Sequence, residues 1–243
     1  MTDSFLHVGS SDVIGREICN NWDVQTCSHS RISDFSIYNY DVVSISAFDP
    51  KRKLMNEKNC EFLGELISRC NENARIVYFS SCRVLDFKFS VGKKTPYVLN
   101  KLADENRLLR NFSDVCVVYL PNIIPTSKNQ KSRFFEQFFS NLSNNIIRFD
   151  VVDYSRWNFV QIQDVLEQVF DSNKLGSFEQ ILSPTDLTVA SLAQKFAQQK
   201  TCVEFGDRYE KYPRVKLKSA RFCKSDTAKD LSWLDDVGRI YGY

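Results

Sequence analysis

Short apolar runs alternate along this chain with segments whose apolar residues recur at helical spacing, and that alternation implies a sheet of parallel strands with helices against it. The runs are Phe5-Leu-His-Val8, Asp41-Val-Val-Ser-Ile-Ser-Ala47 and Arg75-Ile-Val-Tyr-Phe-Ser-Ser81. Gly9-Ser-Ser-Asp-Val-Ile-Gly15 follows the first, and Val13, Ile14 and Ile18 then recur at helical spacing, which reads as strand, tight turn, helix. Such a turn directs backbone N–H groups and the positive end of a helix at a diphosphate, with glycine needed where the backbone must come close. At 243 residues the chain fits one large α/β domain, or one core with a small appended lobe.

Tyr97 and Lys101 stand four residues apart in Thr95-Pro-Tyr-Val-Leu-Asn-Lys-Leu-Ala-Asp-Glu105, so a phenol and an ammonium share one helix face. A neighbouring cation favours the phenolate, and Lys101 is expected to pull the tyrosine down from about 10 toward the range of a general acid. Their helix is expected to run to about Phe112, with Leu102, Leu108 and Leu109 available for packing. Leu54 to Cys70 reads as another long helix, with Leu54, Phe62, Leu63, Leu66 and Ile67 at its apolar positions. Phe134, Phe135, Phe138, Phe139 and Leu142 form an aromatic stripe at helical spacing, which reads as packing. In Lys211-Tyr-Pro-Arg-Val-Lys-Leu-Lys218, Val215 and Leu217 alternate with cations as in an edge strand.

Taken in order, Gly9…Gly15, Asp41-Val-Val-Ser-Ile-Ser-Ala47, Phe79-Ser-Ser-Cys-Arg-Val-Leu85 and Pro96-Tyr97…Lys101 resemble the extended short-chain dehydrogenase/reductases, specifically the nucleotide-sugar epimerase, dehydratase and reductase group. The likeness continues through Val117-Val-Tyr-Leu-Pro-Asn-Ile-Ile-Pro125, Trp157-Asn-Phe-Val-Gln-Ile-Gln-Asp-Val165 and the helix within Asp186–Phe196, covering roughly residues 4 to 200. It implies a Rossmann-like doubly wound parallel sheet with a small C-terminal substrate-binding lobe. Residues 1–160 would form the dinucleotide-binding core, and 161–243 would complete it and form a reduced lobe.

By the same resemblance Tyr97 would be the general acid/base, Lys101 would hold the nicotinamide ribose, and Ser81 would polarise the substrate carbonyl, with Cys82 the adjacent candidate. Gly9, Ser10, Ser11, Val13, Ile14 and Gly15 would line the diphosphate turn, Ala47 and Phe48 would lie beside the adenosine, and Pro121 and Asn122 near the nicotinamide or sugar. Asp12 takes the place of the family's middle glycine, where it is expected to turn outward and cap the following helix. Further departures are Gln161 and Gln163 in the later motif, Asp86 in place of a glycine, and a short stretch from Ser81 to Tyr97. Val24-Gln-Thr-Cys-Ser-His-Ser-Arg31 offers Ser28, Ser30 and Arg31 as donors for a 2′-phosphate and no carboxylate for a ribose hydroxyl, which favours NADP over NAD. The expected activity is NADP-dependent reduction of a 4-keto nucleotide sugar in polysaccharide or deoxysugar biosynthesis. A 4-epimerase using the same Ser-Tyr-Lys set, or a non-catalytic nucleotide-binding relative, is the alternative. The family's habit of pairing two helices per subunit implies a homodimer.

Bulk properties narrow the partners. A net charge of +2, from 32 basic and 30 acidic residues, gives no polyanion-binding field, so no nucleic-acid partner is expected. His7 and His29 are the only histidines, too few for a His-based metal site or a Ser-His-Asp triad, and no metal is expected. Eight cysteines without a Cys-x-x-Cys pair, mostly in apolar segments, read as reduced core residues. Without a charged-then-apolar leader or an apolar run of about 18 residues, no membrane association is expected and the cytoplasm is the expected location.

Overall fold

A computed structural model of the chain describes residues 4–10, 12–46, 61–127, 132–170, 175–223 and 232–243. The first half is built from β1 (Phe5–Val8), α1 (Val13–Asn21), β2 (Gln25–Cys27), β3 (Val42–Ile45), α2 (Glu61–Arg69), β4 (Arg75–Ser81), α3 (Cys82–Lys88), α4 (Pro96–Asn111) and β5 (Val115–Leu120). Then come β6 (Asn122–Ile124), α5 (Arg133–Leu142), β7 (Ile146–Val151), β8 (Arg156–Trp157), β9 (Phe159–Gln161), α6 (Ile162–Phe170) and β10 (Phe178–Leu182). The chain closes with β11 (Leu187–Thr188), α7 (Val189–Phe196), β12 (Cys202–Arg208), β13 (Lys211–Tyr212), β14 (Arg221–Phe222) and α8 (Trp233–Tyr241).

Seven strands form one sheet in the order β14-β10-β5-β4-β3-β1-β2, and each neighbouring pair is parallel. Because β1 separates β2 from β3, the strand order reverses at the β1/β3 boundary. In open α/β sheets that reversal leaves a crevice at the carboxyl ends of the strands, where ligands bind. The doubly wound parallel sheet read from the sequence is therefore present.

Strand alternation divides the sheet into two apolar faces. Ile76, Tyr78, Val115, Val117 and Tyr119 pack on one face with Leu63, Leu66, Val98 and Leu108 of α2 and α4. Val77, Phe79, Cys116, Val118 and Leu120 pack on the other with Ile14 and Ile18 of α1 and Ile162, Val165 and Leu166 of α6. A third cluster lies around α5, where the Phe134–Phe139 stripe meets Phe149, Phe159, Leu192, Trp233 and Val237. The stripe is packing, as its spacing predicts.

The 211–218 segment departs from its expected form. Only Lys211 and Tyr212 are strand, parallel to β8, and the chain then crosses as an irregular strap. Pro213 has no N–H to give a ladder. Side chains take over: Asp86 Oδ1 accepts from the backbone N–H of Arg214 (3.0 Å) and Val215 (2.8 Å), while Gln180 accepts from Leu217 N and donates to Val215 O. Val215 and Leu217 then pack together on the α4 side of the sheet, so their alternation with cations does not make a strand. Of the helix expected over Leu54 to Cys70, Glu61–Arg69 is observed, and residues 47–60, including Lys51–Lys53, lie outside the described residues.

Candidate active site

The turn after β1 is shaped by its two glycines. Gly9 has φ +132°, a conformation side chains strain to adopt. A Cβ on Gly15 would lie 2.0 Å from the carbonyl oxygen of Gly9, so glycine there lets α1 close against the strand. The amides of Gly9 and Ser10 donate to Cys27 O at the end of β2, which fixes the turn at the sheet edge.

Asp12 caps α1 as expected: its Oδ1 accepts from Gly15 N at 2.7 Å. It does not turn outward. The carboxylate is half-buried, and besides Gly15 it is hydrogen-bonded by the amide of Ile14 and the hydroxyl of Ser46, just past β3, and feels the Lys101 ammonium. Burial raises the Asp12 carboxyl above the usual range, and those four contacts oppose the rise.

Behind it, Ser46 Oγ lies 2.9 Å from His7 Nε2, and His7 Nδ1 lies 2.7 Å from Ser44 Oγ. Burial holds His7 at about 3, hence neutral. One proton arrangement satisfies every group: Ser44 donates to Nδ1, Nε2–H donates to Ser46, and Ser46 donates to Asp12.

At the ends of β4 and α4 the expected acid/base set comes together in part. Ser81 ends β4 and caps α3, accepting from Arg83 N at 3.2 Å. Thr95 caps α4 and Pro96 opens it, an arrangement that suits a helix start and sets Tyr97 in the first turn. Tyr97 hydrogen-bonds through its hydroxyl to Ser81, while 38 % of its surface stays exposed. Burial of the phenol end raises it above 10, with Ser81 and the Arg83 charge acting the other way. This corrects the expected direction, because desolvation outweighs the Ser81 hydrogen bond and the Arg83 charge.

Lys101 is buried one turn further along α4. Its Nζ donates to Phe79 O at 2.9 Å and lies 4.7 Å from the centre of the Tyr78 ring. Cys82, the neighbour of Ser81, is buried in the core against Gln180, and its thiol is pushed up to about 12. Pro121 and Asn122 follow Leu120, which pairs with Ser81, so they leave the sheet at the same edge. There Asn122 bonds the Asn158 carbonyl. Ser28 and Ser30 pair through their hydroxyls just beyond β2, and Arg31 is engaged by Asp34 at 2.9 Å. Ser11, Ala47 and Phe48 lie outside the described residues.

Two residues of this region escaped the sequence reading. Glu105 follows Tyr97 and Lys101 at the same four-residue interval, and that repeat was the available signal. Wholly buried, it accepts from Ser80 (2.5 Å), Lys88 (2.5 Å) and Tyr119 (3.1 Å), tying α4 to β4, α3 and β5. Tyr212 is the other. The strap places its hydroxyl 3.3 Å from Ser81 Oγ, with Arg83 over its ring and Asn158 N bonded to its carbonyl. Nothing local in the sequence signals that contact. Beyond Tyr212 opens a cleft of about 330 Å³, lined among others by Arg83, Lys93, Trp157, Arg208, Glu210 and Arg214. No group of three or more metal-ligating side chains occurs among the described residues, and no described helix is long and apolar enough to cross a membrane.

A parallel sheet whose strand order reverses after a glycine turn, with extra C-terminal elements, is a fold that this chain shares with solved structures of nucleotide-sugar epimerases, dehydratases and reductases. A UDP-glucuronic acid 4-epimerase from Bacillus cereus, in complex with NAD, matches with a TM-score of 0.63 at 12 % identity, over 98 % of this chain and 97 % of that one. An NAD-dependent NDP-hexosamine 5,6-dehydratase of tunicamycin biosynthesis matches at 0.62 and 14 %, over 100 % and 92 %. A dTDP-4-dehydrorhamnose reductase from Bacillus anthracis, in complex with NADP, matches at 0.62 and 11 %, over 99 % of each chain. No protein-family profile and no curated protein matches the sequence.

The residues present suit a nicotinamide dinucleotide in all but one respect. Gly9 and Gly15 make the close-packed turn that leads into α1, and a helix N-terminus offers its amides to an anion. The Asp12 carboxylate, seated on two of those amides, is the exception.

Proposed function

We propose that this chain is an NAD(P)-dependent enzyme that reduces a 4-keto nucleotide sugar, with NADP ahead of NAD. The observation that carries the reading is the hydrogen bond between Tyr97 and Ser81 at the carboxyl edge of the sheet, with Lys101 one turn away. The hydride is the cofactor's contribution. The chain's own residues do the rest. Ser81 polarises the ketone, and Tyr97 delivers its phenolic proton to the oxygen as negative charge develops there.

With burial raising its phenol, Tyr97 is protonated across the physiological range, the state a general acid needs. Lys101, bonded to the Phe79 carbonyl, would orient the nicotinamide ribose. Cations on the cleft beyond Tyr212, among them Arg83, Lys93 and Arg214, suit the diphosphate of a sugar nucleotide. The NADP preference rests on Ser28, Ser30 and Arg31, and Asp34 tempers it by holding part of the Arg31 charge.

Incubation with a panel of keto-sugar nucleotides and NADPH or NADH, followed by nicotinamide absorbance, tests the reading. Tyr97→Phe should lower turnover by about a thousandfold and leave NADPH affinity within about twofold. Turnover retained in that variant would remove Tyr97 from its role. A second reading, a non-catalytic relative that keeps the fold to bind another nucleotide or a protein partner, draws its support from Asp12. Absence of saturable NADPH or NADH binding would favour it.

A further inference from the structure

The Asp12 carboxylate occupies the N-terminal turn of α1, the place to which the reading above assigns the cofactor diphosphate. Its Oδ1 is 2.7 Å from Gly15 N, and the Ile14 amide also bonds it, so the first turn of α1 already serves an anion. A helix start of this kind carries partial positive charge and free N–H groups, which is why anions settle there. Each N–H serves one acceptor well. A second anion brought to the same turn finds its donors taken and a like charge beside it.

The carboxylate is also held from behind. Ser46 reaches it from the end of β3, and Ser46 is set in turn by His7 of β1, 2.9 Å away, and Ser44, 2.7 Å from the same ring. The two strands that border the crevice thus share one buried relay ending on Asp12. An ordinary cap at a helix surface needs none of this, since a side-chain oxygen on one amide suffices.

We propose that Asp12 is a tethered anion competing with the cofactor's diphosphate for the N-terminus of α1, so that its displacement sets the dinucleotide affinity of this chain. The proposal rests on the NAD(P)-dependent reading above. It makes Asp12 a determinant of cofactor binding and gives it no part in proton or hydride transfer. A cofactor that binds must swing the carboxylate off Gly15 and Ile14 or share their amides with it, and either raises the dissociation constant.

The test is direct binding of NADPH and of NADH to the full chain, read by nicotinamide fluorescence, for the native sequence, Asp12→Asn and Asp12→Gly. Thermal unfolding of each variant is followed in parallel. Asp12→Asn keeps a capping oxygen and loses the charge, and Asp12→Gly removes both. Both variants are expected to bind both cofactors at least about tenfold more tightly than the native chain, because a like charge a few ångströms from the diphosphate is gone. If Asp12→Gly fails to fold, Asp12→Asn carries the comparison alone. Native binding that equals or exceeds that of the folded variants overturns the proposal and leaves the enzyme reading standing. If neither the native chain nor a folded variant binds either cofactor at millimolar concentration, the proposal and the dinucleotide reading fall together.

Discussion

His7 shows how a single buried side chain ties this fold to pH. Between Ser44 and Ser46 it stays neutral in the folded chain down to about pH 3, whereas in the unfolded chain it takes up a proton near 6.5. The unfolded state therefore binds more protons between those values, and stability falls as pH drops through that window while remaining unaffected above it. From the linkage relation the loss between pH 7 and pH 5 is roughly 2 kcal/mol. Urea midpoints at pH 7, 6 and 5 should decline more steeply for the native chain than for His7→Gln, and equal slopes would remove His7 as the source. Tyr97 follows the same physics with the opposite shift. Burial disfavours its charged form too, so the phenol rises where the Lys101 spacing alone suggested a fall.

Among the elements, the strap after β13 shapes the site most. Asp86 stands where the resemblance led one to expect glycine, and the structure gives that departure a purpose: one carboxylate oxygen receives two consecutive strap amides. Asp86→Ala would leave the Arg214 and Val215 amides without that acceptor, at a cost of about 2–4 kcal/mol. Asp86→Asn keeps an accepting oxygen and should recover more than half of the loss. Chemical unfolding of the two variants measures the difference, and an alanine variant within about 0.5 kcal/mol of the native chain would show that the strap is held elsewhere. Helix α4 works by a different device. Tyr97, Lys101 and Glu105 repeat every four residues, so one face carries the phenol, the ammonium and a wholly buried carboxylate that locks the helix to its neighbours.

At the scale of the whole molecule, the three apolar clusters make predictions about access. All seven described cysteines are free, and Cys27, Cys70, Cys82, Cys116 and Cys223 are buried, with thiols pushed up to about 11 for Cys27 and about 12 for the others. Only Cys19 and Cys202 among them are exposed, so a thiol reagent at pH 8 should label these two quickly and the five others only on unfolding. Cys60 lies outside the described residues. Mapping the labelled peptides checks this, and fast labelling of Cys116 would mean that the central sheet opens. The sequence by itself determined the alternation of strand and helix, the glycine turn, the cap at Asp12, and the packing role of the Phe134–Phe139 stripe. Each depends on residues within a turn or two of one another, so side-chain period and backbone sterics suffice to specify it. Only the tertiary structure decided that β1 lies between β2 and β3, that Asp12 faces inward on a relay from two strands, and that Tyr212 meets a serine 131 residues away. Those outcomes depend on which distant segments exclude water from a group and which offer it a hydrogen bond, and no local pattern encodes either.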